Sequence, residues 1–183
     1  RGSRYGELPV PVRPGYVFQC WQTEDGVEVA ATDTVKTSVA KLVAKWEEYV
    51  DKFEPAIAPG SGLVFTTDGN ETWTLDTVEG VDVARTGVID HSQRTSLYTT
   101  VTGKGSLSFS WMASTESNFD KCQLYVDGVM KVKVSGIQTD WSDAAIDIST
   151  DGRHAIEWRF TKDASVTKGG DCVWLKDVKW EVS

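Results

Sequence analysis

The stretch that most constrains the fold is residues 152–180, GRHAIEWRFTKDASVTKGGDCVWLKDVKW. Its first half alternates strictly, with His154, Ile156, Trp158 and Phe160 on one side and Ala155, Glu157, Arg159 and Thr161 on the other. A period of two, with apolar residues on one phase only, describes a half-buried antiparallel strand. A polar connection through Asp163, Ser165, Thr167, Gly169 and Gly170 leads to a second run, Cys172 to Trp180. The two runs read as a long hairpin at the C-terminal edge of a β-sandwich.

The order H-x-x-x-W-x-F from His154, then Lys162-Asp163, then G-x-D-x-x-W-L-x-D-V from Gly169, resembles the end of concanavalin-like jelly-roll modules in large secreted bacterial proteins. The cleaved adhesin domains of gingipain-type proteases are among them. Cys172 stands where such modules often carry Ala, and Lys176 where they carry Asp. The resemblance implies a jelly roll, a secreted or cell-surface setting, an accessory rather than catalytic role, and a structural calcium. For calcium, an ion that takes six to eight oxygens, Asp177 near the end of the module and Glu79 or Asp82 near its beginning are the candidate ligands, the alternative being surface carboxylates with no shared partner.

Upstream, Leu107, Phe109 and Trp111 alternate with Ser106, Ser108 and Ser110, and Cys122, Leu124 and Val126 repeat the pattern. Asp127-Gly128 then makes a tight hairpin turn into Met130 to Val134. With Leu63 to Thr66, Trp73 to Leu75, Val81 to Arg85, Ser96 to Val101 and Trp141 to Ile148, nine or ten short strands result. No βαβ pattern occurs, so the expected fold class is all-β: a two-sheet antiparallel β-sandwich of jelly-roll type over residues 63–183.

Residues 1–50 differ in pattern. YGELPVPVRPGYVFQCW, followed by Asp25-Gly26 and closed by Ala44-Lys45-Trp46, is similar to an internalin-type B-repeat, a small β-grasp module of bacterial surface proteins. Cys20 replaces the Gly usual before the Trp, and the opening strand of such a repeat is missing, so a partial β-grasp repeat with a marginal core is expected. Val39, Leu42, Val43 and Trp46 also fall at helical spacing, which keeps a helix over residues 35–49 open as an alternative. Residues 51–62, within the charged and Pro- and Gly-containing EEYVDKFEPAIAPGSG, read as a linker.

The formal net charge of −8, with no cluster of Lys and Arg among aromatics, argues against nucleic acid as a partner. No apolar run approaches the ~20 residues of a membrane span, and the chain reads as a monomeric segment of a longer secreted or cell-surface protein. The three cysteines lack metal-ligand spacing. Cys122 and Cys172 either pair or remain free thiols, and Cys20 reads as a small buried hydrophobe.

Only two imidazoles, His91 and His154, are available for catalysis, and no nucleophile elbow, P-loop or H-E-x-x-H occurs. His154 shares the phase of Ile156 and Trp158 and reads as a structural histidine. No catalytic site is expected, although 27 acids leave a glycosidase pair open by counting alone. Most of the eight tryptophans, including Trp73, Trp111, Trp158 and Trp174, read as structural. The opposite strand phases carry the better candidates: Tyr98, Gln123, Tyr125, Glu157 and Arg159. Were their strands to share a sheet, two aromatic rings would lie beside amide, carboxylate and guanidinium groups, the mix a glycan groove uses. The expected function is therefore non-catalytic carbohydrate binding, the alternatives being a protein-protein adhesion module, a spacer, or an ordinary solvated sheet face.

Overall fold

The structure, a computed structural model, describes residues 3–11, 13, 16–35, 41–48 and 50–183. The chain divides into two compact units, Arg1–Val50 and Asp51–Ser183. In the first, β1 (Tyr16–Thr23), β2 (Glu28–Val29) and β3 (Leu42–Glu48) form a three-stranded antiparallel sheet in the order β2-β1-β3. The helical alternative is overturned where it can be seen: Leu42, Val43 and Trp46 lie on β3, while Val39 falls outside the described residues. Phe18 stands edge-on to Trp21 and Trp46, at 5.7 and 5.8 Å between ring centroids. Trp21 Nε1 donates to the Pro9 carbonyl at 2.8 Å. The β1–β3 register slips between Phe18 and Cys20, a bulge beside the unusual Cys20.

The second unit opens with a short helix, α1 (Glu54–Ile57), then β4 (Thr66–Gly69), β5 (Thr74–Val78), β6 (Val81–Arg85), β7 (Arg94–Thr102), β8 (Gly105–Ser114), β9 (Lys121–Val126), β10 (Val129–Ser135), β11 (Ser142–Ile148), β12 (Arg153–Thr161) and β13 (Cys172–Val182). These strands form two five-stranded antiparallel sheets, β10-β9-β12-β7-β4 and β11-β8-β13-β6-β5, called here the first and second sheets. The expected two-sheet antiparallel sandwich is what the strands build. Between the sheets lie Phe65, Leu97, Leu107, Phe109, Trp111, Leu124, Ile156, Trp158, Phe160, Val173 and Leu175, all buried. Trp158 is fully buried, 5.5 Å from Phe109 across the sandwich and 6.4 Å from Phe65 between centroids.

The expected C-terminal hairpin does not form. β12 lies in the middle of the first sheet and β13 in the middle of the second, so residues 162–171 cross from one sheet to the other. Two strands facing one another across a sandwich show the same alternation as two strands of a hairpin, which is why the pattern misleads. The crossing is tied down by the buried Lys162, whose Nζ pairs with Asp171 and donates to Thr167 Oγ1 at 3.0 Å. Beneath it the buried Asp120 accepts the Asp163 amide at 3.0 Å. Cys122 and Cys172, one in each sheet, are buried free thiols.

Residues 51–62 are not a linker. Phe53, Ile57 and Ala58 are buried in the sandwich core, and α1 packs on β6 and β13. Asp51 holds the segment from both ends: Oδ1 accepts the amides of Phe53 and Glu54, and Oδ2 accepts that of Phe65 at 2.7 Å. The charged and Pro-rich composition hides an amphipathic turn whose apolar side faces inward. Among the described residues no helix is long and apolar enough to cross a membrane.

His154 is buried on β12, with Nδ1 2.7 Å from Asp127 Oδ2 and Nε2 2.9 Å from the Thr150 carbonyl. Both partners are acceptors, so the ring is held with a proton on each nitrogen. The bond to Asp127, with that to Thr150, holds its pKa above the ordinary 6.5, while the same contact holds the Asp127 carboxyl below its ordinary value.

Two predictions follow from this packing. A fragment 51–183 is expected to unfold cooperatively, whereas 56–183, lacking Phe53 and the Asp51 bonds, loses about 3–5 kcal/mol in denaturant melts. Equal midpoints for the two fragments would contradict the placement of α1. The second concerns pH. A group with a raised folded-state pKa stabilises fully below its unfolded value and loses that contribution as pH rises through the folded one. The melting temperature should therefore fall above about pH 6.5 in the wild type, and His154→Gln should flatten that fall; a profile shared by both proteins would exclude the charged ring.

Candidate functional site

Burial of Ile156, Trp158 and Phe160 on the inner side of β12 forces Glu157 and Arg159 to its outer side. Their neighbours follow from register. Glu157 lies opposite Tyr98 of β7 and opposite Tyr125 of β9, while Arg159 lies opposite Ser96 and Gln123. The rows continue to the sheet edges: Met130, Tyr125, Glu157, Tyr98 and Thr66 form one, and Lys133, Gln123, Arg159, Ser96 and Asp68 the next. All five residues singled out from strand phase thus stand on one face of the first sheet.

Their side chains are joined. Arg159 donates from Nε to Glu157 Oε1 and from Nη2 to Oε2, each at 2.8 Å, and its guanidinium lies 4.3 Å from the centre of the Tyr125 ring. Ser96 Oγ donates to Glu157 Oε1 at 2.8 Å, and the Tyr125 hydroxyl to Gln123 Oε1 at 3.3 Å. Burial pushes the Glu157 carboxyl up, but the bonds from Arg159 and Ser96 outweigh it and hold it below its ordinary value. The Glu157 bond and charge raise Arg159 in turn. The pair therefore stays ionised at neutral pH.

Three further members come from residues the sequence did not single out. The Tyr98 hydroxyl donates to Asp68 Oδ1 at 3.0 Å, and Arg94 Nη1 lies 3.3 Å from that oxygen, 3.2 Å from Ser96 Oγ and 3.5 Å from the Tyr98 hydroxyl. Arg94 and Ser96 share the phase of Tyr98 on β7, a signal present in the sequence. Asp68 carries no such signal, because its four-residue strand, TTDG, has no alternation. Tyr98 and Tyr125 flank Glu157 at two inter-strand spacings, roughly 9.6 Å, so each can meet a separate ring of an extended ligand.

No protein-family model matches the sequence, and no curated protein does. Among solved structures the chain is similar to the secreted serine protease VesC from Vibrio cholerae, at 12% identity and a TM-score of 0.57, over 79% of this chain and 31% of that one. This chain spans about a third of the length of that protease, and the likeness is one of fold. It is also similar to TmCBM61 in complex with β-1,4-galactotriose (16% identity, 65% and 88% coverage, TM-score 0.47). A third is the K3 cleaved adhesin domain of Lys-gingipain from Porphyromonas gingivalis w83 (12%, 70% and 96%, TM-score 0.46).

The expected calcium ligands do not assemble. Among the described residues no group of three or more His, Cys, Asp or Glu could hold a metal ion. Asp82 Oδ1 accepts from Thr77 Oγ1 at 3.2 Å, Glu79 sits in the β5–β6 turn, and Asp177 Oδ2 lies 3.8 Å from Lys176 Nζ at a bulge in β13. Trp174, read as structural, is half-buried on the outer side of the second sheet, its Nε1 donating to Asp76 Oδ2 at 2.9 Å. Of the two histidines, His154 has both nitrogens engaged, and His91 is exposed in a turn.

Chelation tests the calcium expectation directly: an unchanged melting temperature in excess chelator would remove the ion from the account. A drop in excess chelator that added Ca²⁺ reverses would place a bound ion elsewhere in the fold, by mass action on the native state.

Proposed function

We propose that this chain is a non-catalytic carbohydrate-binding module of a secreted or cell-surface bacterial protein, and that the outer face of the first sheet is its binding surface. The observation that carries the reading is the row Tyr125–Glu157–Tyr98, two aromatic rings on either side of a hydrogen-bonded carboxylate and guanidinium. Sugar rings present an apolar C–H face and a rim of hydroxyls, and such a surface offers stacking partners with directional polar groups beside them. Pre-formed bonds among Asp68, Arg94, Ser96, Glu157 and Arg159 support the reading further, since groups ordered before binding lose little entropy when a ligand arrives. The first unit, by its sequence likeness to a B-repeat, is taken as a spacer or surface-attachment element.

Strand phase supplies the test. Trp158→Ala, on the inner side of β12, is expected to cost about 3–5 kcal/mol of stability. Tyr125→Ala, on the outer side of β9, gives up a cation–π contact of about 0.5–1 kcal/mol and melts nearly as the wild type. In affinity gels against a panel of polysaccharides, Tyr125→Ala and Tyr98→Ala should each weaken retention by on the order of 1–3 kcal/mol, by analogy with base stacking on aromatic side chains. Retention of every polysaccharide unaltered in both variants would remove the site from this face; no retention of any by the wild type would favour a protein partner.

A further inference from the structure

The candidate face has a charge opposite in sign to the chain that carries it. In the two rows that hold the candidate residues and in the adjoining row of Ser135, Lys121, Thr161 and Arg94, the basic side chains are Arg94, Lys121, Lys133 and Arg159, and the acidic ones Asp68 and Glu157. The chain as a whole has a formal net charge of −8. Arg159 and Arg94 spend their charge on Glu157 and Asp68. Lys121 and Lys133 remain: among the described residues neither has an ion-pair partner within 4 Å.

These two lysines are close by register. Lys133 lies opposite Gln123, and Lys121, one outward position along β9 from Gln123, lies opposite Thr161 of β12 and Ser135 of β10. They are therefore diagonal neighbours at one end of the face, beside the Gln123 amide and the Arg159 guanidinium. Only Nε and Nη2 of that guanidinium are taken by Glu157. Two unpaired ammonium groups and a partly free guanidinium, adjoining the tyrosine row, form a surface for an anionic group attached to a stacked ring.

We propose that the ligand of this face is an anionic polysaccharide, its carboxylate or sulfate groups held by Lys121, Lys133 and the free edge of Arg159 while its rings lie along Tyr125 and Tyr98. The proposal rests on the carbohydrate reading above and adds the chemical class of the sugar. The acidic remainder of the chain does not oppose it, because charges farther away than the Debye length of about 8 Å at physiological ionic strength are largely screened. A local cationic patch in an acidic chain also disfavours unspecific attachment to polyanions approaching from any other side.

The test uses the full chain and its Lys121→Gln/Lys133→Gln variant in affinity gels containing polygalacturonate, dextran sulfate or neutral galactan, each scored against a ligand-free gel. The expected result is retention by at least one of the two charged polymers, weakened by salt and reduced about tenfold in the variant, with melting unchanged because both side chains are on the solvent side of the sheet. Polygalacturonate alone being retained assigns the carboxylate, and dextran sulfate alone the sulfate. Retention of galactan alone, equal in both proteins, overturns the anionic class while leaving the carbohydrate reading intact. Charged-polymer retention undiminished in the double variant overturns the role of the lysines. Retention of all three polymers lost in Tyr125→Ala but kept in the lysine variant leaves the stacking platform standing without its charge.

Discussion

Everything on the candidate face depends on the pleat of β12. Ile156, Trp158 and Phe160 enter the core because an indole and a benzyl ring left in water would each forfeit on the order of 2–3 kcal/mol of transfer free energy. Trp158 meets Phe109 edge-on from the facing sheet, one of the contacts that join the two layers. Once these residues point inward, Glu157 and Arg159 have no other place than the outer side. A slip of one residue would exchange the two sets and bury an ion pair in place of two aromatic rings, so register is strongly specified here.

The position of β12 in its sheet matters as much as its pleat. As a central strand, between β9 and β7, it sets Glu157 between two tyrosines and Arg159 between Gln123 and Ser96. An edge strand would have offered each of them only one neighbour. Exposed ion pairs contribute little to stability, usually below about 1 kcal/mol. The Glu157–Arg159 pair differs from those in being bidentate, with Glu157 largely covered by its neighbours, and its value lies in holding shape. The guanidinium supports the Tyr125 ring from one side, and Ser96 holds the carboxylate from another.

The connections serve the same end. Residues 162–171 carry the chain from the centre of one sheet to the centre of the other, and a buried lysine paired with Asp171 lines that passage. Ahead of the sandwich, Asp51 closes a short helical turn that puts Phe53 and Ile57 into the core. Each uses a charged side chain to satisfy backbone or side-chain groups next to apolar ones, where unmet hydrogen-bonding groups would cost about 1–3 kcal/mol apiece.

Alternation along the chain by itself marked β7, β8, β9 and β12 and the two sides of each, whereas the four residues of β4 carry no such pattern. Side chains of a strand alternate whatever the strand pairs with, so Tyr98, Tyr125, Gln123, Glu157 and Arg159 could be placed on outward phases from sequence alone. The same rule says nothing of partners. That β9, β12 and β7 are adjacent, that β12 and β13 belong to opposite sheets, and that Asp68 on an unpatterned strand reaches the Tyr98 hydroxyl were decided by tertiary structure. So was the burial of Phe53 and Ile57 in a stretch whose prolines, glycines and charges look like a linker, and the failure of Glu79, Asp82 and Asp177 to gather. The physical reason is common to all of these: local pattern records which side of an element avoids water, whereas pairing and convergence depend on contacts between residues far apart in the chain.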